Sequence, residues 1–138
     1  MNKNNLSRVK TEIKKAYYTH TRYHTIATFA LLYHAKLINV RELKKYLRIS
    51  DYFIRIDNHH FFINFTNTKQ ENAFKASENL LLYLDKDFHD TTSCIAIDTF
   101  DISKTPQMVI NRLMQILDAT KHNSYERIED ENILDELI

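Results

Sequence analysis

Arg48 and Asp51 are the two residues whose types and spacing best suit the binding of a charged ligand. An arginine guanidinium is a planar fork that forms paired hydrogen bonds with a phosphate or a carboxylate, and an aspartate accepts hydrogen bonds from N–H groups. The two residues stand three apart, so they can equally form a local ion pair, or Asp51 can cap the turn that follows it. The sequence alone leaves the ligand-binding and the structural interpretation open.

A predicted β-hairpin follows this pair directly. Two runs rich in aromatic and branched residues, 52–56 and 61–65, suit a pleated, half-buried surface and flank the tetrapeptide DNHH at 57–60. Aspartate and asparagine tolerate the left-handed backbone that a tight turn uses, so we expect that conformation in this connection. Tyr52 and Phe62 can serve as a platform for stacking a base, but packing in the core is the favoured interpretation.

Other reactive side chains have ordinary interpretations. His59 and His60 are of the type that binds zinc, but neighbours in a strand project to different sides, and no metal site is expected. Asp98 and Asp101 follow a predicted strand, as catalytic carboxylates often do, yet loop aspartates are common. Cys94 stands in an apolar run, which predicts a buried and inert thiol.

The composition excludes several classes of function. The 138 residues include no glycine, on which phosphate-binding loops, dinucleotide fingerprints and nucleophile elbows depend. The formal charge is +1, with basic residues near the start and acidic ones near the end, so no nucleic-acid partner is expected. One cysteine excludes an internal disulfide. Without a signal peptide or an apolar run that could span a bilayer, we expect a cytoplasmic protein with no membrane contact.

The apolar periodicity predicts one domain over 1–125, followed by an acidic tail, 126–138, that forms a short strand, forms a helix or frays. Helices are predicted from Leu6, from the caps Asn39 and Thr68, and from the cap Thr105 with Pro106, with Asn4 or Asn5 capping the first. Strands are predicted at 26–34 and 91–99, besides the hairpin at about 52–65. This order predicts an α/β sandwich of ferredoxin-like character, with a mixed, partly parallel sheet and helices packed on it.

Over roughly residues 8–125, the order of elements resembles that of the GGDEF domain of diguanylate cyclases. The spacing is also similar: an Arg-x-x-Asp element is followed by five residues and then by a five-residue turn inside a hairpin. Arg55 matches a common family position, and the segments 93–97 and 115–121 look like its Ser-Ile-Gly-Val-Ala strand and its final helix. The family's turn carries Gly-Gly-Asp/Glu-Glu-Phe. Here the motif is degenerate, and its positions hold Asp57, Asn58, His59, His60 and Phe61.

The resemblance implies that cyclase activity is absent. In the family, an aspartate ending the first strand and the acidic third residue of the turn bind two divalent metals, which prefer carboxylate oxygens. Here the strand ends in Tyr33-His34-Ala35-Lys36, and the third turn position is His59. The family's nucleotide-binding segment follows the first strand, and in this chain it is shortened to a few residues before Val40. We therefore expect no metal, no cofactor and no synthesis of cyclic di-GMP.

The resemblance implies a different role for Arg48 and Asp51. In the family, Arg-x-x-Asp at this spacing is an inhibitory site that binds a cyclic di-GMP dimer, and arginine can pair with the guanine edge or a phosphate. The resemblance thus implies a cyclic di-GMP receptor or adaptor in bacterial signal transduction. The alternative is a protein–protein interaction module without nucleotide binding. That module would use the exposed aromatic hairpin, or form a homodimer through the hairpin or the N-terminal helix.

Overall fold

Three elements precede the hairpin and five follow it, and the computed structural model describes residues 2–123 and 125–135. In chain order the elements are α1 (Lys3–Tyr23), β1 (Ala27–Tyr33), α2 (Val40–Lys44), β2 (Tyr52–Arg55), β3 (His60–Thr66), α3 (Gln70–Phe88), β4 (Cys94–Asp98), α4 (Pro106–Asn123), β5 (Ile128–Glu129) and α5 (Asn132–Asp135). Within these ranges no helix is both long and apolar enough to cross a membrane.

The five strands form one mixed sheet in the spatial order β2-β3-β1-β4-β5. The pairs β1–β3, β1–β4 and β2–β3 are antiparallel, and β4–β5 is parallel. The predicted fold class is confirmed. The helical crossovers α2 and α3 join strands that run in the same direction but are separated by a third strand. The parallel neighbours are β4 and β5, which α4 connects.

Two helical layers cover the two faces of the sheet. Side chains alternate along a strand, so Phe29 and Leu31 of β1 face α1 and α4, whereas Ala30 and Leu32 face α2 and α3. The strand predicted at 26–34 is confirmed as β1, which lies between β3 and β4 and has helices on both faces.

The hairpin does not expose an aromatic surface, and that expectation is wrong. Phe61, Phe62 and Phe65 are at most 1% exposed, because β3 lies inside the sheet with helices on both faces. Core packing of Phe62 is thus confirmed. Tyr52 is exposed instead, because it begins β2 at the edge of the sheet.

Two of the four predicted helix caps are confirmed. The Asn39 side chain accepts a hydrogen bond from the backbone N–H of Arg41 at 2.7 Å. The Thr105 hydroxyl accepts one from the N–H of Met108 at 3.1 Å, and Pro106 begins α4. Both side chains satisfy N–H groups that have no partner inside the helix.

The other two predicted caps are wrong. Asn2 caps α1, and its side chain accepts from the backbone N–H groups of Asn4 and Asn5. Lys69 precedes α3 without a side-chain cap bond. The Thr68 hydroxyl accepts from Arg48 Nη2 instead of from a helix N–H, and it donates to the Thr66 carbonyl at 2.7 Å.

The acidic segment forms both a strand and a helix. Residues Ile128–Glu129 pair with β4 as β5, and α5 buries Ile133 against the α1–α4 side of the core. β5 therefore belongs to the same sheet as the preceding strands, and α5 packs against the same core. Residues 136–138 of the predicted tail lie outside the described residues.

Candidate functional site

Arg48 and Asp51 lie just before β2 and form an ion pair. Arg48 Nη2 donates to Asp51 Oδ1 at 2.7 Å, and Arg48 Nε donates to Oδ1 and Oδ2 at 3.2 and 3.1 Å. The Arg48 backbone N–H donates to Oδ2 at 3.1 Å. The hydrogen bond to Asp51 raises the pKa of the Arg48 guanidinium. The Asp51 side chain is 2% exposed and that of Arg48 is 54% exposed, so the carboxylate is inside and the cation reaches the surface.

The end of β3 holds the Arg48 guanidinium from a second direction. Nη2 donates to the Thr66 carbonyl at 2.9 Å and to the Thr68 hydroxyl at 2.5 Å. All of these hydrogen bonds use Nε and Nη2, and none of them uses Nη1. The arginine is therefore fixed in one orientation by groups that the sequence places 18 and 20 residues away.

A groove of about 360 Å³ opens beside Arg48 on the α2–α3 side of the sheet. Residues Asn72, Asn79 and Tyr83 of α3 line it, and the Tyr83 ring stacks on Tyr46 with centroids 5.3 Å apart. The hydrogen bond from the Tyr46 hydroxyl to Asp87 raises the pKa of Tyr46 to about 12. The groove thus combines a fixed cation, two amides and an aromatic wall.

Sequence reasoning missed the α3 residues of this groove. Asn72, Ala76, Asn79 and Tyr83 recur at spacings of four, three and four, which places them on one face of a helix. That face of α3 lies beside the face that packs on the core. The spacing of these residues was therefore the signal in the sequence that could have indicated the groove.

The hairpin turn is organised by the Asp57 carboxylate. Asp57 Oδ1 accepts from the His59 N–H at 2.9 Å and lies 2.8 Å from His60 Nδ1. Partial burial alone would raise the pKa of Asp57, but these hydrogen bonds outweigh it and hold the pKa below its ordinary value. The Asn58 side chain accepts from Arg55 Nη2 at 3.1 Å. The polar residues of the degenerate motif therefore bond to one another, and its last position, Phe61, is core.

The left-handed backbone expected in this turn is wrong. Among the described residues, positive φ occurs at His24 (58°), Asn67 (49°) and His89 (50°). The Asp57 side chain holds the turn through its bond to the His59 N–H, which replaces a turn that needs positive φ.

His34 directly follows β1 and lies beside the hairpin turn, in the segment where the resemblance implies a metal-binding aspartate. Its backbone N–H donates to the His59 carbonyl at 2.9 Å, and its Nδ1 hydrogen-bonds with Ser93 Oγ at 2.8 Å. Its side chain is fully buried, and Nε2 has no hydrogen-bond partner in the described chain. Lys36 Nζ, two residues on, donates to the Phe88 carbonyl. The end of β1 and the third turn position therefore meet in space, through His34 and His59.

Metal-binding geometry is not found in the described ranges. No three His, Cys, Asp or Glu side chains of residues 2–123 and 125–135 cluster closely enough to hold an ion. His59 is exposed, and its Nδ1 lies 3.2 Å from the His34 carbonyl, whereas His60 faces Asp57.

Lowering the pH below about 6.5 is expected to destabilise the protein through His34. Burial lowers the pKa of this histidine from its ordinary value of 6.5, so the unfolded chain binds the proton more readily. The free energy of unfolding therefore falls as the pH drops through 6.5 towards the lowered value. Of the charged groups around the ring, Asp90 and Asp85 raise the pKa of His34, whereas Lys36 and His59 lower it. Urea titrations at pH 7.5, 6.5 and 5.5 measure the effect.

The matched controls for this pH effect are two glutamine variants. His34→Gln cannot take up a proton, so its stability should change less with pH than that of the parent. His122→Gln removes an exposed histidine and should retain the parent's dependence. Equal pH slopes for the parent and His34→Gln would contradict the assignment.

The remaining candidates are structural. Asp98 accepts two hydrogen bonds from Arg112, at 2.8 and 3.0 Å, and its side chain is 2% exposed. Asp101 fixes a loop by accepting from the Ser103 N–H at 2.9 Å and from Lys104 Nζ at 2.8 Å. Burial raises the pKa of the Cys94 thiol, which makes a thiolate nucleophile less accessible.

Comparison with known proteins identifies the fold. No protein-family model and no curated protein matches this chain. The structure is similar to that of the diguanylate cyclase SiaD from Pseudomonas aeruginosa, solved in complex with its activator SiaC, with a TM-score of 0.70 and 13% sequence identity. The match covers 90% of this chain and 57% of that one, so this chain spans little more than half of that protein. The fold is therefore GGDEF-like.

Proposed function

We propose that this chain, whose fold is that of a diguanylate cyclase domain, is a catalytically inactive signalling domain that binds cyclic di-GMP at Arg48. The observation that carries the proposal is an arginine whose side chain is 54% exposed and fixed at the rim of a groove of about 360 Å³. A guanidinium that is already held in place loses little side-chain entropy when a ligand binds. Cyclic di-GMP offers the phosphates and guanine edges that such a fork pairs with.

Asp51 takes a positioning role in this proposal. Its side chain is 2% exposed, and both of its oxygens accept from Arg48. A ligand that drew Arg48 away would leave a buried, unpaired carboxylate, which is strongly unfavourable. The ligand is therefore expected to meet Nη1 and the outward face of the guanidinium while Asp51 keeps Arg48 oriented. The Asn72 and Asn79 amides of the groove supply further hydrogen bonds.

The absence of cyclase activity is supported by the side chains at the end of β1 and in the turn. Two divalent metals need several carboxylate or phosphate oxygens. The end of β1 reads Tyr33-His34-Ala35-Lys36 and the third turn residue is His59, so carboxylates are missing where the resemblance implies metal ligands. The nearby Asp57 carboxylate already bonds to the His59 N–H and to His60. Among the described residues no cluster of three metal-ligating side chains is available here to gather metal ions around a triphosphate.

Isothermal titration with cyclic di-GMP tests the receptor. The parent should bind at low-micromolar concentration or tighter, and Arg48→Ala should weaken binding by about 10- to 100-fold, the range for loss of one paired arginine–base contact. Arg41→Ala, an exposed arginine of α2, is the matched control and should bind like the parent. No heat up to millimolar ligand would overturn the receptor, and formation of cyclic di-GMP from GTP and Mg²⁺ would overturn the inactivity.

A protein-interaction module is the second candidate, and one observation favours it. Ile49, next to Arg48, is fully exposed, and Tyr52 is 57% exposed three residues later. Exposed apolar side chains are typical of interfaces where they form a contiguous patch. SiaD is itself seen with a protein activator. If the titration fails, light scattering of the parent and of Ile49→Ser measures whether the chain forms a homodimer through this surface.

A further inference from the structure

The helix α1 carries positive charge along its whole length. It holds six lysine or arginine side chains and one glutamate, a formal charge of +5, although the charge of the whole chain is only +1. The cations are Lys3, Arg8, Lys10, Lys14, Lys15 and Arg22. Val9 and Ile13 of the same helix are buried in the core. The one glutamate, Glu12, accepts a hydrogen bond from Asn64 Nδ2 of the sheet at 3.4 Å.

Helical geometry gathers these cations into a stripe on the side of α1 that faces away from the sheet. Arg8, Lys15 and Arg22 are seven residues apart, so they lie within about 40° of one another around the helix axis. Lys14 and Tyr18 are one turn apart and lie beside them. All five side chains are exposed. We call this stripe the basic face of α1.

Two exposed tyrosines lie at the C-terminal end of the basic face. Tyr18 and Tyr23 are 62% and 64% exposed, and the Arg22 guanidinium lies 6.0 and 5.9 Å from their ring centroids. Arg22 Nη1 also donates to the Tyr18 hydroxyl at 3.0 Å. A tyrosine has an apolar ring and a polar tip, which suits the boundary between water and lipid. Clustered cations on one side of a helix attract anionic lipid headgroups.

The acidic residues at the end of the chain lie far from the basic face. They belong to the segment that forms β5 and α5, whereas α1 packs against β2, and β2 and β5 are the opposite edges of the sheet. Four strand spacings of about 4.8 Å separate these edges by about 19 Å, more than the Debye length of about 8 Å at physiological ionic strength. A planar anionic surface can therefore meet α1 alone, whereas a long flexible polyanion would meet both charges.

We propose that the basic face of α1 docks this chain onto an anionic phospholipid surface. The cations lie against the headgroups with Tyr18 among them, while the apolar side of the helix stays in the core, so the chain lies on the bilayer without inserting. This contact needs no membrane-spanning helix, and the sequence-based expectation of no membrane contact considered spanning segments only. The basic face and the Arg48 groove lie on opposite faces of the sheet, so neither proposal depends on the other.

Co-sedimentation with phospholipid vesicles tests the docking. The parent should bind vesicles made from a two-to-one mixture of phosphatidylcholine and phosphatidylserine, should not bind phosphatidylcholine alone, and should be released by added salt. Lys14→Gln combined with Lys15→Gln should weaken binding about 30-fold, since each lysine near an anionic surface contributes about fivefold. Lys44→Gln combined with Lys45→Gln, at exposed positions of the α2 region, removes the same charge from the other face and should bind like the parent.

A fluorescence measurement shows which face meets the lipid. The chain contains no tryptophan, so the emission of Tyr18→Trp reports on that position alone and should shift to shorter wavelength with the mixed vesicles. Tyr83→Trp, at a 51% exposed position of α3, should keep its emission. All of these variants change exposed residues and should melt like the parent.

Three outcomes would overturn the proposal. The first is equal binding, or none, to the two kinds of vesicle. The second is an equal loss of binding from the two lysine pairs, which would show an effect of net charge and not of α1. The third is tighter binding to polyglutamate or to duplex DNA than to the mixed vesicles, which would indicate an acidic protein or a nucleic acid as the partner instead.

Discussion

Replacing Arg112 with alanine is expected to lower the free energy of unfolding by about 3 kcal/mol, the lower end of the range for breaking a buried ion pair. Asp98 would lose both of its hydrogen bonds from Arg112 and keep a carboxylate that is 2% exposed. The Arg112 side chain is itself 31% exposed, which is why the lower end applies. Urea denaturation measures the change, and the melting temperature should fall by about 10 °C.

Two further variants show whether this loss of stability comes from leaving the Asp98 carboxylate buried without Arg112. Asp98→Asn combined with Arg112→Ala removes the buried charge, so it should recover part of the stability lost in the single variant. Arg41→Ala, at an exposed position, should change stability by less than about 0.5 kcal/mol. If Arg112→Ala is as mild as Arg41→Ala, the Asp98 carboxylate is not dependent on its partner.

The elements of this fold were predictable because their signals are local. The apolar run that became β1 is recognisable from a few consecutive residues, and so are the caps Asn39 and Thr105. The crossovers between strands then indicated a mixed sheet with helices on it. At Thr68 the predicted cap failed, and its hydroxyl instead accepts from Arg48, which lies 20 residues away in the sequence.

Burial at the candidate sites was not predictable, because it depends on what distant segments place opposite a residue. The pattern of residues 61–65 fits an exposed hairpin and an internal strand equally well, and only the pairing of β3 with both β1 and β2 decides between them. The same holds for Asp51, whose neighbours on the chain are polar or exposed although its own side chain is inside.

Arg48→Ala is expected to lower the free energy of unfolding by about 2 kcal/mol, besides its effect on cyclic di-GMP. Breaking a buried pair commonly costs about 3–5 kcal/mol, but the Arg48 side chain is 54% exposed and solvent screens part of its attraction to Asp51. The Arg48 backbone N–H remains to stabilise the carboxylate. Denaturant titration of the parent, of Arg48→Ala, of Asp51→Ala and of the double variant measures the coupling between the two side chains.

The same four proteins separate the structural role of the pair from its binding role. If the ion pair is structural, the double variant should be more stable than the sum of the two single effects predicts, by about 1–2 kcal/mol. If Arg48 also binds ligand, Asp51→Ala should retain some affinity for cyclic di-GMP, since the Thr66 carbonyl and the Thr68 hydroxyl still hold the guanidinium, whereas both variants without Arg48 should lose it. If the two side chains are coupled in stability but none of the four proteins binds cyclic di-GMP, Arg48 has only a structural role. The exposed Ile49 surface would then be the one to test for a protein partner.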